Sequence, residues 1–341
     1  MLGHILWTAI NAVAPIILLI IIGYALKRIG WMNDNFIKLG KQLVFKIFLP
    51  AMLFVNVYDI SGIDAIRWDF VLYGVIMVLV MFFIGFLAAK LTTKDPKRRG
   101  VIWQCAFRSN FAIIGLPLAE ALGGSGGAAV AAVLSAFTIP AFNILSVLAL
   151  SVYVSQNGKE KRTAGDYLHD IFTNPLTVAV LLGLAALLIR FAQNTIFGEV
   201  VFSMQRDTKF LYKTLVDLKA ITLPLALIVL GGQCEFSAVK GMRREIFVST
   251  LCRIVIAPAL AVGGAVLLSS LTPLLSCGNA EFAALIAQFG APVAVSSAVM
   301  AASMGSDDQL AAQLVVWTSA FSTLTIFLTV CILMATGFLI I

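Results

Sequence analysis

Charged side chains are scarce in this chain: Asp, Glu, Lys and Arg make up 12% of its 341 residues, against 60% apolar residues. Soluble domains carry about 25% charged residues, and a soluble chain this poor in charge would have nothing to cover its surface with. Histidine is limited to His4 and His169, far apart in sequence, and the five cysteines (Cys105, Cys234, Cys252, Cys277 and Cys331) show no CxxC or paired spacing. A Cys/His metal site therefore has no support, and the cysteines read as small apolar helix residues. Neither metal nor cofactor is expected. The net charge of +7 would suggest a nucleic-acid partner in a soluble protein. Here the basic residues sit in short loops, where the positive-inside rule accounts for them, and no nucleic-acid partner is expected. A cleaved leader is not expected either, because Lys27 and Arg28 follow the first apolar run instead of preceding it.

Long apolar runs are what the chain has in quantity. Residues 5–26, 70–89, 171–189, 246–271 and 311–341 are nearly free of charge, and about 20 such residues cross a hydrocarbon core of about 30 Å. Hydropathy read with loop signals predicts an all-α membrane protein with ten transmembrane helices, at 5–26, 43–58, 70–90, 101–121, 128–154, 171–191, 211–232, 245–271, 282–303 and 311–336. The odd-numbered loops hold fifteen Lys and Arg residues, among them Lys41, Arg98, Lys159 and Arg244. The even-numbered loops hold about four, Arg67, Arg190, Arg206 and Lys209. This asymmetry puts the odd loops in the cytoplasm and both termini outside.

The spans carry an internal repeat. Pro15 and Gly23 return as Pro175 and Gly183, and Leu49-Pro50 with Leu53 returns as Leu223-Pro224 with Leu227. Gly115-Leu116-Pro117 returns as Gly290-Ala291-Pro292, and Ser135–Thr138 returns, at a slightly larger offset, as Ser319–Ser322. Five helices per repeat is an odd number, so the halves cross the membrane in opposite senses. That is the plan of secondary transporters, whose substrate site lies at the repeat interface near the midplane. The expected division is 1–154 and 171–341, joined by a cytoplasmic linker at 155–170.

Proline inside a helix removes a hydrogen bond and clashes with the preceding turn, and in lipid such a break survives only where protein or a wet cavity satisfies the backbone. Gly115-x-Pro117 and Gly290-x-Pro292 are therefore expected to be two unwound, crossing segments, whereas Pro50 and Pro224, in apolar surroundings, read as kinks. Asn110 lies about ten residues, hence about 15 Å, from the cytoplasmic end of the fourth span, and a buried amide needs partners. The candidate binding residues are Arg108, Ser109, Asn110, Gly115, Pro117, Asn143, Gln288, Gly290, Ala291 and Pro292. Gln288 is expected to face Asn110. Arg108 either faces the site or snorkels to the cytoplasmic surface. Ser296 and Ser297 read as packing serines, Lys46 and Arg253 as cations within reach of the cytoplasmic side, and Glu120 as an interfacial acid or a titrating one. The string Gly123-Gly124-Ser125-Gly126-Gly127 satisfies GxSxG, but it has no strand before it and no histidine nearby. It reads as a turn, and no enzyme activity is expected.

At Asn110-Phe111-Ala112-Ile113-Ile114-Gly115-Leu116-Pro117-Leu118, with Ala291-Pro292 and the run from Asp308 to Thr325 in the second half, the chain resembles the auxin efflux carrier family, which includes plant auxin carriers and bacterial malate and malonate permeases. Two departures stand out: the plant carriers have proline where this chain has Ser109, and a long loop where it has only the short 155–170 stretch. The resemblance implies a scaffold (5–58 and 171–232), a transport domain (70–154 and 245–336) with two broken, crossing helices, elevator-like alternating access and a homodimer in the lipid bilayer. It also implies a small organic anion as substrate. The expected function is transport of small carboxylates across a bacterial-type plasma membrane. A sodium-coupled symporter of the bile-acid type is the alternative within the class; a channel or an intramembrane enzyme lies outside it.

Overall fold

The computed structural model describes residues 18–59, 67–154, 175–233 and 236–339, together with Pro15 and Thr173. Most of the first expected span, the linker at 155–170, both histidines and Cys234 lie outside the described residues. Among the described residues the fold is all helical, the sole extended pairing being a bridge between Ser109 and Val293. In chain order the helices are α1 (18–28), α2 (Asp34–Tyr58), α3 (Trp68–Thr92), α4 (Pro96–Phe107), α5 (111–123), α6 (125–154), α7 (Pro175–Phe197), α8 (Lys209–Gln233), α9 (Arg243–Leu271), α10 (Asn279–Gly290), α11 (Ser296–Ser303) and α12 (Asp308–Ala335). Seven of the described helical stretches are long and apolar enough to cross a membrane. The fourth and ninth expected spans are absent from that count because each is interrupted, as α4 and α5 and as α10 and α11.

The apolar surface agrees with a bilayer as solvent. On α3, Leu72, Ile76, Leu79, Phe83, Leu87 and Leu91 are exposed at helical spacing, and on α12 so are Phe321, Leu324, Leu328 and Ile332. Such stripes in water would be an aggregation liability. In lipid they meet tails as apolar as themselves. The chain is a multi-pass membrane protein.

Small residues let the helices meet. Any side chain at Gly23 of α1 would strike the Ile228 backbone of α8, and any at Gly231 of α8 would strike that of Ile20. A methyl group at Gly183 of α7 would stand 2.9 Å from Val57 Cβ of α2. Along α10, Ala283 and Ala287 take the close approach of Gly123 and Gly115, where a methyl group would lie 2.8 Å from Ala283 Cβ and 2.9 Å from the Ala287 carbonyl oxygen. Backbones come together this closely only where side chains are minimal. Gly124, between α5 and α6, has φ of 61° and ψ of −154°, a conformation that only glycine adopts readily. The GxSxG string is thus a helix–helix turn.

Two boundaries differ from expectation. Helix α2 starts at Asp34 instead of 43, because Asn33 caps it by accepting from the Phe36 N–H at 2.8 Å. The chain also does not unwind at Gly115 and Pro117. There it forms a π turn, Phe111–Gly115, that runs on as helix. The same device recurs at Val44–Phe48 before Pro50 and at Cys252–Ile256 before Pro258. Each proline stands two residues beyond a π turn, whose centre is the residue four back. A wider turn there relieves both the missing N–H and the ring's clash with that carbonyl.

Candidate functional site

The two interruptions fall at Arg108–Asn110 and Ala291–Val295. Helix α10 ends where a proline ends it: Ala291 takes φ of −61° and ψ of 148°, the extended geometry imposed on a residue before proline. Helix α4 ends at Arg108, extended at φ of −79° and ψ of 102°, with no proline to force it. The two segments instead hold each other. They run antiparallel, the Asn110 N–H donating to the Pro292 carbonyl at 2.9 Å and the Ala294 N–H to the Arg108 carbonyl at 3.2 Å. The Val293 N–H donates to Thr318 Oγ1 of α12 at 3.0 Å. The pairing register is Ser109 with Val293. Gly115-x-Pro117 lies in a π turn that runs on as helix, whereas Gly290-x-Pro292 ends α10, so the two strings take different local structures.

On one side of the crossing the carbonyl ends of α4 and α10 converge on Arg253 of α9, which is wholly buried. Its Nε donates to the Ala291 carbonyl at 3.0 Å. Nη1 donates to Phe107 at 3.1 Å and Ala106 at 3.5 Å, and Nη2 to Gln288 at 2.8 Å and Phe289 at 2.9 Å. A helix C-terminus carries about half a negative charge, so two of them balance about one guanidinium.

The other side is different. Ala112, in the first turn of α5, and Ser296, the first residue of α11, both open on one cavity of about 50 Å³. A buried water requires about 10–15 Å³, so the cavity holds about four waters or a compact solute. Arg108, Ser109, Asn110, Asn143, Thr222 and Ser296 supply its polar lining, and Leu49, Met52 and Leu53 of α2 with Leu223 and Ala226 of α8 form much of its apolar wall. Arg108 does not snorkel. It is 3% exposed, donates from Nη2 to Asn143 Oδ1 at 2.8 Å and Ser296 Oγ at 3.0 Å, and directs Nη1 at Met300 Sδ. These partners are neutral, and no acidic residue is among the described residues lining the cavity. The Ser109 hydroxyl and the Asn110 side-chain N–H₂ are buried without a hydrogen-bond partner among the described residues. Two helix N-termini, each with about half a positive charge, add to the guanidinium, so the field in the cavity is positive.

Of the candidates named from sequence, Arg108, Ser109, Asn110 and Asn143 share this cavity. Gln288 does not reach it: its Oε1 accepts from Thr138 at 3.2 Å on α6, and its carbonyl serves Arg253. Pro292 and Ala291 belong to the crossing strand, and Gly290 closes α10. Gly115 packs α5 on α10, and Pro117 follows the π turn within helix. Glu120 is exposed near the α5–α6 turn. Sequence reasoning missed Ser296, Thr222 and the α2–α8 wall, and it misplaced Arg253. The signal for Arg253 was present, since it lies ten residues into α9, about 15 Å deep by the rise that located Asn110. Among the described residues no three His, Cys, Asp or Glu side chains stand together as metal ligands do.

A wider vestibule of about 950 Å³ lies at the end of the molecule where α2 begins, lined by Lys27, Lys38, Lys41, Lys46 and Lys97 with Asp34, Asp95, Asp307 and Asp308. It shares α2, α8 and α11 with the smaller cavity.

Comparison with known proteins places the chain among membrane transport proteins. The sequence profile of a family described as membrane transport protein matches residues 8–330. An uncharacterized transporter of Methanocaldococcus jannaschii is 24% identical over 324 residues, covering 93% of this chain and 96% of its own. One from Methanothermobacter thermautotrophicus is 22% identical over 297 residues, covering 85% and 87%.

Because the buried guanidinium of Arg108 has no counter-ion among the described residues, Arg108→Gln is predicted to leave the ligand-free protein at least as stable, while stabilisation by carboxylates is lost. Charge-assisted hydrogen bonds contribute about 1.5–3 kcal/mol, and a buried charge freed of its desolvation penalty offsets other losses. Thermal unfolding with and without malonate measures both. A variant that unfolds many degrees lower yet still responds to malonate would contradict the assignment.

Proposed function

The chain belongs to the membrane transport protein family, the auxin efflux carriers, and we propose that it carries small organic anions, carboxylates of about malonate or malate size, through the crossing. One observation bears most of this reading: a buried arginine with neutral partners stands where two helix N-termini open on one cavity. Its field is about two positive charges, one from the guanidinium and about half from each helix. An anion would satisfy the Ser109 hydroxyl and the Asn110 amide as well.

We further infer that ten helices form two inverted five-helix repeats. The register of the Ser109–Val293 bridge supports this, because the same spacing separates Ser135–Thr138 from Ser319–Ser322. So do the equal lengths of α4 and α10, 12 residues each. Gly23 and Gly183 occupy corresponding places, one packing α1 on α8 and the other α7 on α2.

An elevator-like movement of one helix set against the other is consistent with how the polar ties divide. Arg190 of α7 donates to the Tyr58 carbonyl of α2 at 2.6 Å, and Tyr212 of α8 to Asp59 at 2.8 Å. Arg98 of α4 joins Glu245 of α9 at 3.0 Å and Asp307 beside α12 at 3.1 Å, and Arg67 beside α3 joins Glu281 of α10 at 3.0 Å. Among the described ion pairs, Lys41–Asp308 at 2.6 Å alone links the two sets. The first set is the scaffold of this reading and the second its moving part.

The lysine-rich vestibule would face the cytoplasm of a cell whose plasma membrane holds the carrier, following the positive-inside rule. A single cysteine placed at Lys41 should then react with an impermeant thiol reagent from the cytoplasmic side only, and labelling of intact cells from outside would reverse the orientation. Asn110→Ala should weaken binding of the preferred carboxylate by about 1–3 kcal/mol, about five- to 150-fold. Unchanged affinity in a proteoliposome uptake assay would place the site elsewhere.

A further inference from the structure

We propose that Arg253 is a resident cation: its guanidinium fills the cage of main-chain carbonyls at the crossing, where carriers with broken helices hold a coupling ion, so the carrier cycles without sodium there. This rests on the carrier reading and concerns the side of the crossing turned away from the anion cavity.

The cage is made of five carbonyl oxygens, from Ala106 and Phe107 at the end of α4, Gln288 and Phe289 at the end of α10, and the unwound Ala291. Unwound carbonyls and half-helix C-termini are the groups that hold coupling cations in carriers with broken helices. Here each of the five N–H donors of one guanidinium meets a carbonyl, at 2.8–3.5 Å, so donors and acceptors are matched one to one. No carboxylate contributes among the described residues. The compensation comes from two C-terminal half charges, which sum to about the charge of one monovalent ion.

The consequence follows from covalency. A coupling ion must bind on one side and leave on the other, and its gradient then drives the solute. A guanidinium attached to α9 supplies the same charge at the same place and never leaves. It travels out and back with the helices that hold it, so it adds nothing to the net charge moved per cycle. Lysine would supply the charge with three donors on a single nitrogen instead of five in a planar fork.

Thermal unfolding of the purified full chain in sodium, potassium and choline chloride at equal ionic strength tests this, with malonate as probe anion. The wild type should show the same midpoint and the same malonate response in all three salts. Arg253→Ala should unfold several degrees lower in choline chloride and recover part of the loss when sodium or millimolar guanidinium is supplied, since a ligand binding the native state raises its stability. A wild type that needs sodium for its malonate response, or an Arg253→Ala protein indifferent to every cation, would overturn the proposal. Should Arg253→Ala fail to accumulate, two other variants decide. Arg253→Lys accumulating with cation-independent stability supports a resident charge, and its failure alongside a stable, neutral Arg253→Gln refutes one. The stability comparison requires no transported solute, so a missing malonate response in every salt would count against the carrier reading and leave the test of the cage intact.

Discussion

Two helices are broken inside an apolar layer, and the groups that the breaks set free have to be satisfied there. Unsatisfied backbone polar groups in hydrocarbon are penalised by several kcal/mol each, so neither break is tolerable alone. Crossing them solves much of the problem. The backbone of Arg108–Asn110 bonds to that of Pro292–Ala294, and Arg253 takes the carbonyls left at the ends of α4 and α10. The alanines of α10 and the glycines around the α5–α6 turn let the supporting helices close around the crossing.

On the amide side no such ion-like partner stands among the described residues, and the Ser109 hydroxyl and Asn110 side-chain N–H₂ are left without a hydrogen-bond partner there. The N-termini of α5 and α11 open on a cavity with Arg108 beside them, and the polar side chains around it are neutral. The asymmetry is the functional content of the fold on the proposed reading: one face is neutralised by the chain itself, and the other is left for a solute. A solute held there would also touch α2 and α8 through Leu49, Met52, Leu53 and Leu223. These belong to the helices proposed as scaffold, so the site would sit on the surface along which the two sets move.

Much of this was legible in the sequence, and the failures have identifiable causes. Long uncharged runs revealed the membrane class, and Asn110, singled out for its depth, lines the cavity. The second break was visible because Pro292 imposes extended geometry on Ala291. The first was assigned to Pro117 from the cost of proline in a lipid-embedded helix and its match to Pro292, whereas that proline is absorbed by a π turn and the real break, at Arg108, is held by pairing with a segment in the other half of the chain. No local rule reports such a contact. Gln288 was expected opposite Asn110 from spacing alone, but helical phase turns it toward Thr138. Arg253 was read as near the surface although ten residues of α9 precede it. Serines such as Ser296 carry little signal, because packing serines and ligating serines look alike until a guanidinium is seen beside one.

Charge is the property on which the account depends, and one comparison isolates it. Counterflow in proteoliposomes loaded with labelled malonate can be challenged with malonate, malonamate and malonamide, which share a skeleton and differ in carrying two, one and no negative charges. A site formed by Arg108 and two helix N-termini predicts competition that falls in that order, with malonamide without effect. Equal competition by all three, or competition by a cationic solute of the same size, would contradict an anion site at the crossing.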